Sequence, residues 1–457
     1  MKLDFINVRR AYFHARAHRK VYVDLPPEDK EEGMCGRLNK SMYGTRDAAQ
    51  NWEKDYIEFM ETAGFRRGRA SPCVFWHKEK GVRVVVHGDD FTVLGFQGSL
   101  DWFRQRIQER YEVEFRGRIG PGAQDDKSTR LLNRVLEWTE EGIRYEPDQQ
   151  HADIIVKELG LESSKKTVFT AGVKTADEPE DSIPLEEQEA TIYRALVARG
   201  NYLAQDRSDI QHAVKELSRG MANPTVGNAK ALKRLGRYLK DRRRVVTMFN
   251  YQDATTELTV WTDTDFAGCT KTRKSTTGGV LTHGKHPLKT WSSTQSVIAL
   301  SSGEAEYYGM VKAAGVALGM RAIMEDLGHR KGIRLKTDAS AAKGISARKG
   351  LGKIRHLEVS QLWLQDKVAN GEVCVQKVDG TANKADALTK HVTREELERH
   401  MRWLNATTET GRHELMPKDD AKDRVNEDEE SEGEEADGPG EGEQDSTGWT
   451  GFKSGFS

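Results

Sequence analysis

Apolar positions along the chain switch between the period of a strand and the period of a helix. Val82-Arg-Val-Val-Val-His-Gly-Asp-Asp-Phe-Thr-Val-Leu94 reads as two strands around a Gly-Asp-Asp turn. The rest of the first segment, to about Phe115, alternates short β-like runs with one helical stretch. From Asp148 to Gly160 the spacing is helical and glycine stops it. Thr175 to Pro184 is acidic and proline-bearing, as a linker would be. Helical patterns over 189–205, 209–221 and 228–239 predict a small all-α connector, which ends in the basic run Lys240-Asp-Arg-Arg-Arg244. From Glu257 to about His391 the order is strand, hairpin, long helix, strand, helix, helix, strand, helix. Such alternation builds a mixed sheet with flanking helices. After Leu404 the chain is Glu, Asp, Gly and Ser with too few apolar residues to offset ordering entropy, so disorder is expected there.

Charge changes this picture. Over the 457 residues the net charge is −1, yet from Glu414 onward 15 acidic residues stand against 4 basic ones, which leaves the preceding 413 residues at +10. A basic body with an acidic tail suits a surface that follows a phosphate backbone. Arg9, Arg10, Arg66, Arg67 and the run containing Arg242, Arg243 and Arg244 are the candidate contacts. Most charge runs are only solvated faces. Cys35, Cys73, Cys269 and Cys374 form no C-x-x-C pair, no apolar run nears the roughly 18 residues of a membrane span, and no signal segment follows Met1. An intracellular chain, cytoplasmic or nuclear and not secreted, is the expectation.

Four acids sit at the ends of predicted elements. Asp263 closes the strand-like Leu258-Thr-Val-Trp-Thr-Asp263, and Asp338 closes Ile333-Arg-Leu-Lys-Thr-Asp338. Ser301-Ser-Gly-Glu304 has capping-box spacing and places Glu306 in the first turns of a helix. Asp386 begins a later short helix. Two Mg²⁺ ions that hydrolyse a phosphodiester need several carboxylates to bridge them. Any one of these acids alone is a cap or a solvated turn residue, and with 72 acids in the chain the pattern does not choose four.

Four strings carry a resemblance that does choose: Trp261-Thr-Asp-Thr-Asp-Phe-Ala-Gly268, Arg273-Lys-Ser-Thr-Thr-Gly-Gly279, Trp291-Ser-Ser-Thr-Gln-Ser-Val-Ile-Ala-Leu-Ser-Ser-Gly-Glu-Ala-Glu-Tyr-Tyr308 and Lys384-Ala-Asp-Ala-Leu-Thr-Lys390. Together they resemble the RNase H domain of copia-type LTR retrotransposon polyproteins. The resemblance implies an RNase H fold and two Mg²⁺ ions held by Asp263, Glu306, Asp338 and Asp386. Asp265 and Glu304, each two residues from a member of that quartet, are the alternative ligands. Many RNase H domains also carry a histidine before the last aspartate; none lies between Leu357 and Ala385, and His356 is the nearest.

Upstream, Asn7-Val-Arg-Arg-Ala-Tyr-Phe13, Val21-Tyr-Val-Asp-Leu-Pro-Pro27, Leu38-Asn-Lys-Ser-Met-Tyr-Gly-Thr-Arg-Asp-Ala-Ala-Gln-Asn-Trp52 and His87-Gly-Asp-Asp90 are similar to the reverse-transcriptase palm of the same elements. The resemblance implies Asp89 and Asp90 as polymerase metal ligands and Tyr12 under the nucleotide sugar. Its third acid is replaced by Asn7, whose amide oxygen is neutral, and Asp4 lies on the opposite strand face. The family's fingers have no counterpart before residue 7.

The expectation is therefore an α/β and α+β multidomain chain. It comprises a partial palm (1–115), a thumb-like region (116–174), a linker and helical connection (175–254), an RNase H-like mixed sheet with flanking helices (255–392) and a disordered acidic tail (405–457). Its function would be Mg²⁺-dependent cleavage of RNA in RNA–DNA hybrids, with polymerase activity lost and no membrane partner. The competing expectation is a decayed, non-catalytic nucleic-acid-binding relic.

Overall fold

The computed structural model describes residues 1–174, 178–352, 357 and 359–416. Its first layer contains β1 (Lys2–Val8), α1 (Ala11–His14), β2 (Tyr22–Val23), β3 (Gly36–Arg37), α2 (Ala48–Thr62), β4 (Arg66–Arg67), β5 (Val74–His77), β6 (Val82–His87), β7 (Asp90–Gly95), α3 (Gln97–Gln108) and β8 (Val113–Ile119). An antiparallel sheet runs β4-β5-β6-β7-β1-β8. In β6, Val82, Val84 and Val86 are buried while the residues between them face outward. That period of two presses one sheet face onto Trp52, Tyr56 and Met60 of α2 and Leu100, Phe103 and Ile107 of α3. The expected boundary at Phe115 falls inside β8, because β1 pairs with β8 as far as Ile119.

The second layer holds β9 (Ser128–Leu131), β10 (Arg134–Trp138), β11 (Gly142–Glu146), α4 (Gln150–Glu158), α5 (Glu187–Leu203), α6 (Ser208–Arg219), α7 (Val226–Asp241) and β12 (Arg244–Asn250). The four helices share one apolar core around Tyr193, Leu196, Val214, Leu235 and Leu239. The connector is not all helical: its last residues form β12, which pairs antiparallel with β11.

The third layer holds β13 (Glu257–Asp265), β14 (Thr276–His283), β15 (His286–Thr294), α8 (Ser302–Asp326), β16 (Gly332–Thr337), α9 (Ser340–Ala347), α10 (Trp363–Ala369), β17 (Cys374–Lys377), α11 (Arg394–Trp403) and β18 (Ala406–Glu409). Sheet order is β15-β14-β13-β16-β17, antiparallel across the first three strands and parallel across the last three. This is the mixed sheet with flanking helices expected from the strand and helix alternation. The long helix α8 buries Ala305, Tyr307, Met310, Ala313 and Ala317 against it.

The acidic tail expected from residue 405 begins later. Ala406–Glu409 pairs with β12, completing the sheet β18-β12-β11-β10-β9, and Met416 is buried. A polar four-residue strand has no apolar pattern of its own; its order comes from a backbone ladder supplied by residues distant in the chain. The tail from 417 onward, like His356 and residues 175–177 of the expected linker, lies outside the described residues. No helix among the described residues is long and apolar enough to cross a membrane.

Candidate active site

Asp263 lies in the central strand of the third sheet, opposite Gly278 of β14. Asp338 directly follows β16, the parallel neighbour of β13. Glu306 reaches the same place from the second turn of α8, because α8 lies close against β13 at Gly309. A Cβ there would stand 2.5 Å from Thr264 Oγ1. Ligand atoms of Asp263, Glu306 and Asp338 all lie within 4.8 Å of one another.

Three carboxylates this close cannot all be ionised without a compensating charge. Burial, with the added repulsion of Asp263 and Asp338, pushes the Glu306 carboxyl up to about 9. Asp263 is pushed up to about 6 by burial and by the charges of Asp386 and Asp338, against the opposing effect of Thr389, whose Oγ1 donates to Asp263 Oδ2 at 2.6 Å. Glu306 Oε1 accepts from the Thr264 amide at 3.2 Å, while Oε2 is buried with no hydrogen-bond partner among the described residues. A buried, unpartnered oxygen in a set of hard oxygen donors fits a divalent cation of the Mg²⁺ class, which would satisfy that oxygen and remove the repulsion.

Asp386 does not join the group. It opens a 3₁₀ turn, Asp386–Leu388, and pairs with Lys390 at 2.5 Å, although its charge is still felt by Asp263. Asp265 is outside the group too, its Oδ1 accepting from the Thr276 amide at 2.5 Å. Glu304 faces elsewhere, accepting from the Leu300 amide at 3.0 Å and from Tyr308 at 2.8 Å.

Two residues that sequence reasoning did not single out position the site. Thr389 links Asp263 to the turn that carries Asp386. Asn383, fully buried, donates to Thr262 O at 2.9 Å and accepts from the Ala385 amide at 3.2 Å, which fastens the same turn to β13. Thr389 lay within one of the quoted motifs and Asn383 directly before it, so the signal was present in the sequence.

In the first layer, Asn7 pairs in register with Asp90, and the Gly88-Asp89 turn sets Asp89 beside it. Tyr12 packs on Tyr43 with ring centroids 4.4 Å apart. Arg9 and Arg10 are exposed, Arg9 within 3.8 Å of Glu112. The basic run is engaged internally: Arg242 lies over Tyr238, Arg243 pairs with Asp153 at 3.0 Å, and Arg244 makes two 2.8 Å bonds to Glu146. Acids of α4 and β11 meet the run where α7 passes into β12, so these arginines are not a free phosphate-binding strip. Of the other pair, Arg66 is exposed and Arg67 bonds Glu53 at 2.9 Å.

Residues 2–120 match the family model described as reverse transcriptase, an RNA-dependent DNA polymerase. Over 418 residues the chain is 25% identical to the retrovirus-related Pol polyprotein from transposon TNT 1-94 of Nicotiana tabacum, covering 87% of this chain and 30% of that polyprotein. The chain is similar in the same way to the retrovirus-related Pol polyproteins from transposons RE2 and RE1 of Arabidopsis thaliana, at 24% and 25% identity over 85% of this chain and 26% of each polyprotein. It spans less than a third of the relative named above. Among solved structures it is similar to a foamy viral protease–reverse transcriptase in complex with an RNA/DNA hybrid (TM-score 0.47, 12% identity, 86% of this chain and 46% of that one). It is also similar to the N-terminal RNase H domain of a Mycobacterium tuberculosis protein, solved as a fusion (TM-score 0.23, 15% identity, 32% of this chain and 98% of that one).

Proposed function

We propose that the third layer is an Mg²⁺-dependent nuclease of RNase H type, cleaving the RNA strand of RNA–DNA hybrids, with Asp263, Glu306 and Asp338 as metal ligands and Asp386 as a further carboxylate at the rim. The observation that carries this reading is the convergence of three acids from β13, α8 and the end of β16 on one point, with Glu306 Oε2 left unpartnered. When bound, a pair of Mg²⁺ ions activates water at the phosphorus and stabilises the leaving oxygen. The chain's own part is geometric. Sheet and helix ends fix the carboxylates before any cation arrives, and Thr389 and the Thr264 amide hold Asp263 and Glu306 each by one oxygen. Selection of RNA falls to 2′-hydroxyl and shape contacts along the hybrid, since the scissile strand differs from DNA there.

A second reading, a nucleic-acid-binding chain without turnover, is favoured by Asn7, which removes an acid from the palm. Cleavage of a labelled hybrid with Mg²⁺ separates the two. The nuclease reading expects cleavage by the full chain, abolished by EDTA and reduced at least 100-fold in Asp338→Asn, together with a Mg²⁺-dependent rise in Tm that the variant lacks. Equal behaviour of wild type and variant in both assays would leave the second reading.

A further inference from the structure

Asn7 Nδ2 donates to Asp89 Oδ2 at 2.9 Å and to Asp90 Oδ1 at 3.1 Å. An amide nitrogen carries two hydrogens, and here each serves a different carboxylate. Asp90 Oδ1 also receives Arg116 at 3.3 Å. Arg116 is the residue that the irregularity opposite Phe5 and Ile6 leaves out of the β1–β8 register, and a bulge of this kind re-aims a side chain. Behind the turn, Trp52 Nε1 donates to Gly88 O at 2.8 Å and the Val8 amide to Asp89 O at 2.9 Å. The turn is thus anchored from behind by the Trp52 indole and the Val8 amide, and from the front by the Asn7 amide.

The reverse-transcriptase resemblance implies metal ions here, and the residues present do not fit them. A cation shared by Asp89 and Asp90 would lie among the oxygens to which Nδ2 points. In that direction the amide offers hydrogens and no lone pair. Rotating the amide would set its oxygen against two anionic oxygens and lose both hydrogen bonds, so the charges select the donor orientation. Arg116 adds a fixed positive charge on the same oxygen of Asp90.

We infer that the palm site is closed to divalent cations: Asn7, with Arg116, replaces the metal by a protein-borne clasp that braces β1 against the β6–β7 turn. This inference stands apart from the nuclease reading.

Bound Mn²⁺, counted by electron paramagnetic resonance on the full chain, tests it. Asp89→Asn with Asp90→Asn leaves the number of bound ions unchanged. Asn7→Asp gathers three acids at one place, so it has a lower Tm than wild type in EDTA, then gains a bound Mn²⁺ and recovers Tm as Mn²⁺ is added. Loss of a bound ion in the double variant overturns the inference, and so does a folded Asn7→Asp protein that gains none. If Asn7→Asp does not fold, the double variant decides. Asp263→Asn with Asp338→Asn is the separate arm: an unchanged ion count there sinks the nuclease reading and leaves the closed palm site standing.

Discussion

The hydroxyl of Thr389 stands 2.6 Å from Oδ2 of Asp263 and 2.9 Å from the backbone oxygen of Asp386, one donor within reach of two acceptors. One side chain thus orients the buried acid and ties it to the turn that presents the outer one. Hydrogen bonds to charged groups contribute about 1.5–3 kcal/mol, and partners of metal ligands commonly alter metal affinity by about 10–100-fold. Thr389→Val is expected to weaken Mg²⁺ binding, read as the Mg²⁺ concentration that half-saturates the Tm shift, by about 10-fold or more. Thr389→Ser, which keeps the hydroxyl, should restore most of it.

Gly309 sets the distance between α8 and β13. A side chain there must displace Thr264 Oγ1, 2.5 Å from the added Cβ, and meets Thr262 Oγ1 at 3.1 Å. Overpacking of this kind costs about 1–3 kcal/mol. Gly309→Val should lower urea-denaturation stability by that amount, and it should impair Mg²⁺ binding because Glu306 lies one turn away on the displaced helix.

Asp326, at the end of α8, accepts backbone hydrogen bonds from Arg69 and Ala70 at 2.8 Å and from Ser71 at 3.0 Å, while Arg83 donates to Leu327 O at 2.7 Å. These contacts join the first layer to the third. Asp326→Ala frees three amides to solvent, so hydrogen exchange at 69–71 should quicken by at least 10-fold while exchange in β13 stays unchanged. Unaltered exchange at 69–71 would show that the contact does not hold the layers.

His400 of α11 is fully buried against Lys384 O. Burial is the main cause that pushes it down to about 4, against the opposing charges of Asp209 and Asp386. The unfolded chain protonates this histidine near its ordinary value of about 6.5, before the folded chain does. Its contribution to stability is therefore complete above about pH 6.5 and erodes as pH falls toward 4, by at most about 1.4 kcal/mol per pH unit. His400→Gln should show a shallower loss of Tm between pH 6.5 and 4.5 than wild type; equal slopes would exclude this histidine as the cause.

Where local pattern and tertiary need coincide, the fold is legible in the chain. The β6–β7 hairpin shows alternating valines around a glycine turn, and α4 to α8 show helical spacing with recognisable ends. Thr393-Arg-Glu-Glu396 forms a capping box that starts α11, yet its helix is too polar to stand out as an apolar pattern. The β12–β18 pairing is not legible, because a short polar strand is specified by its partner. The internal engagement of Arg242, Arg243 and Arg244 depends on acids about 90 residues or more upstream for two of them, a distance no local reading spans. At the candidate site, element ends offered acids without choosing among them, and the resemblance to RNase H domains picked out four. The structure gathers three and leaves Asp386 beside them, a distinction set by the Lys390 ion pair and the Thr389 bond.

A crystal of the full chain soaked in Mn²⁺ and measured at the manganese absorption edge tests the central claim most directly. Anomalous peaks within about 2.3 Å of carboxylate oxygens of Asp263, Glu306 and Asp338, absent after Asp338→Asn, are the expected result. Ordered Mn²⁺ elsewhere with those three side chains bare would contradict it.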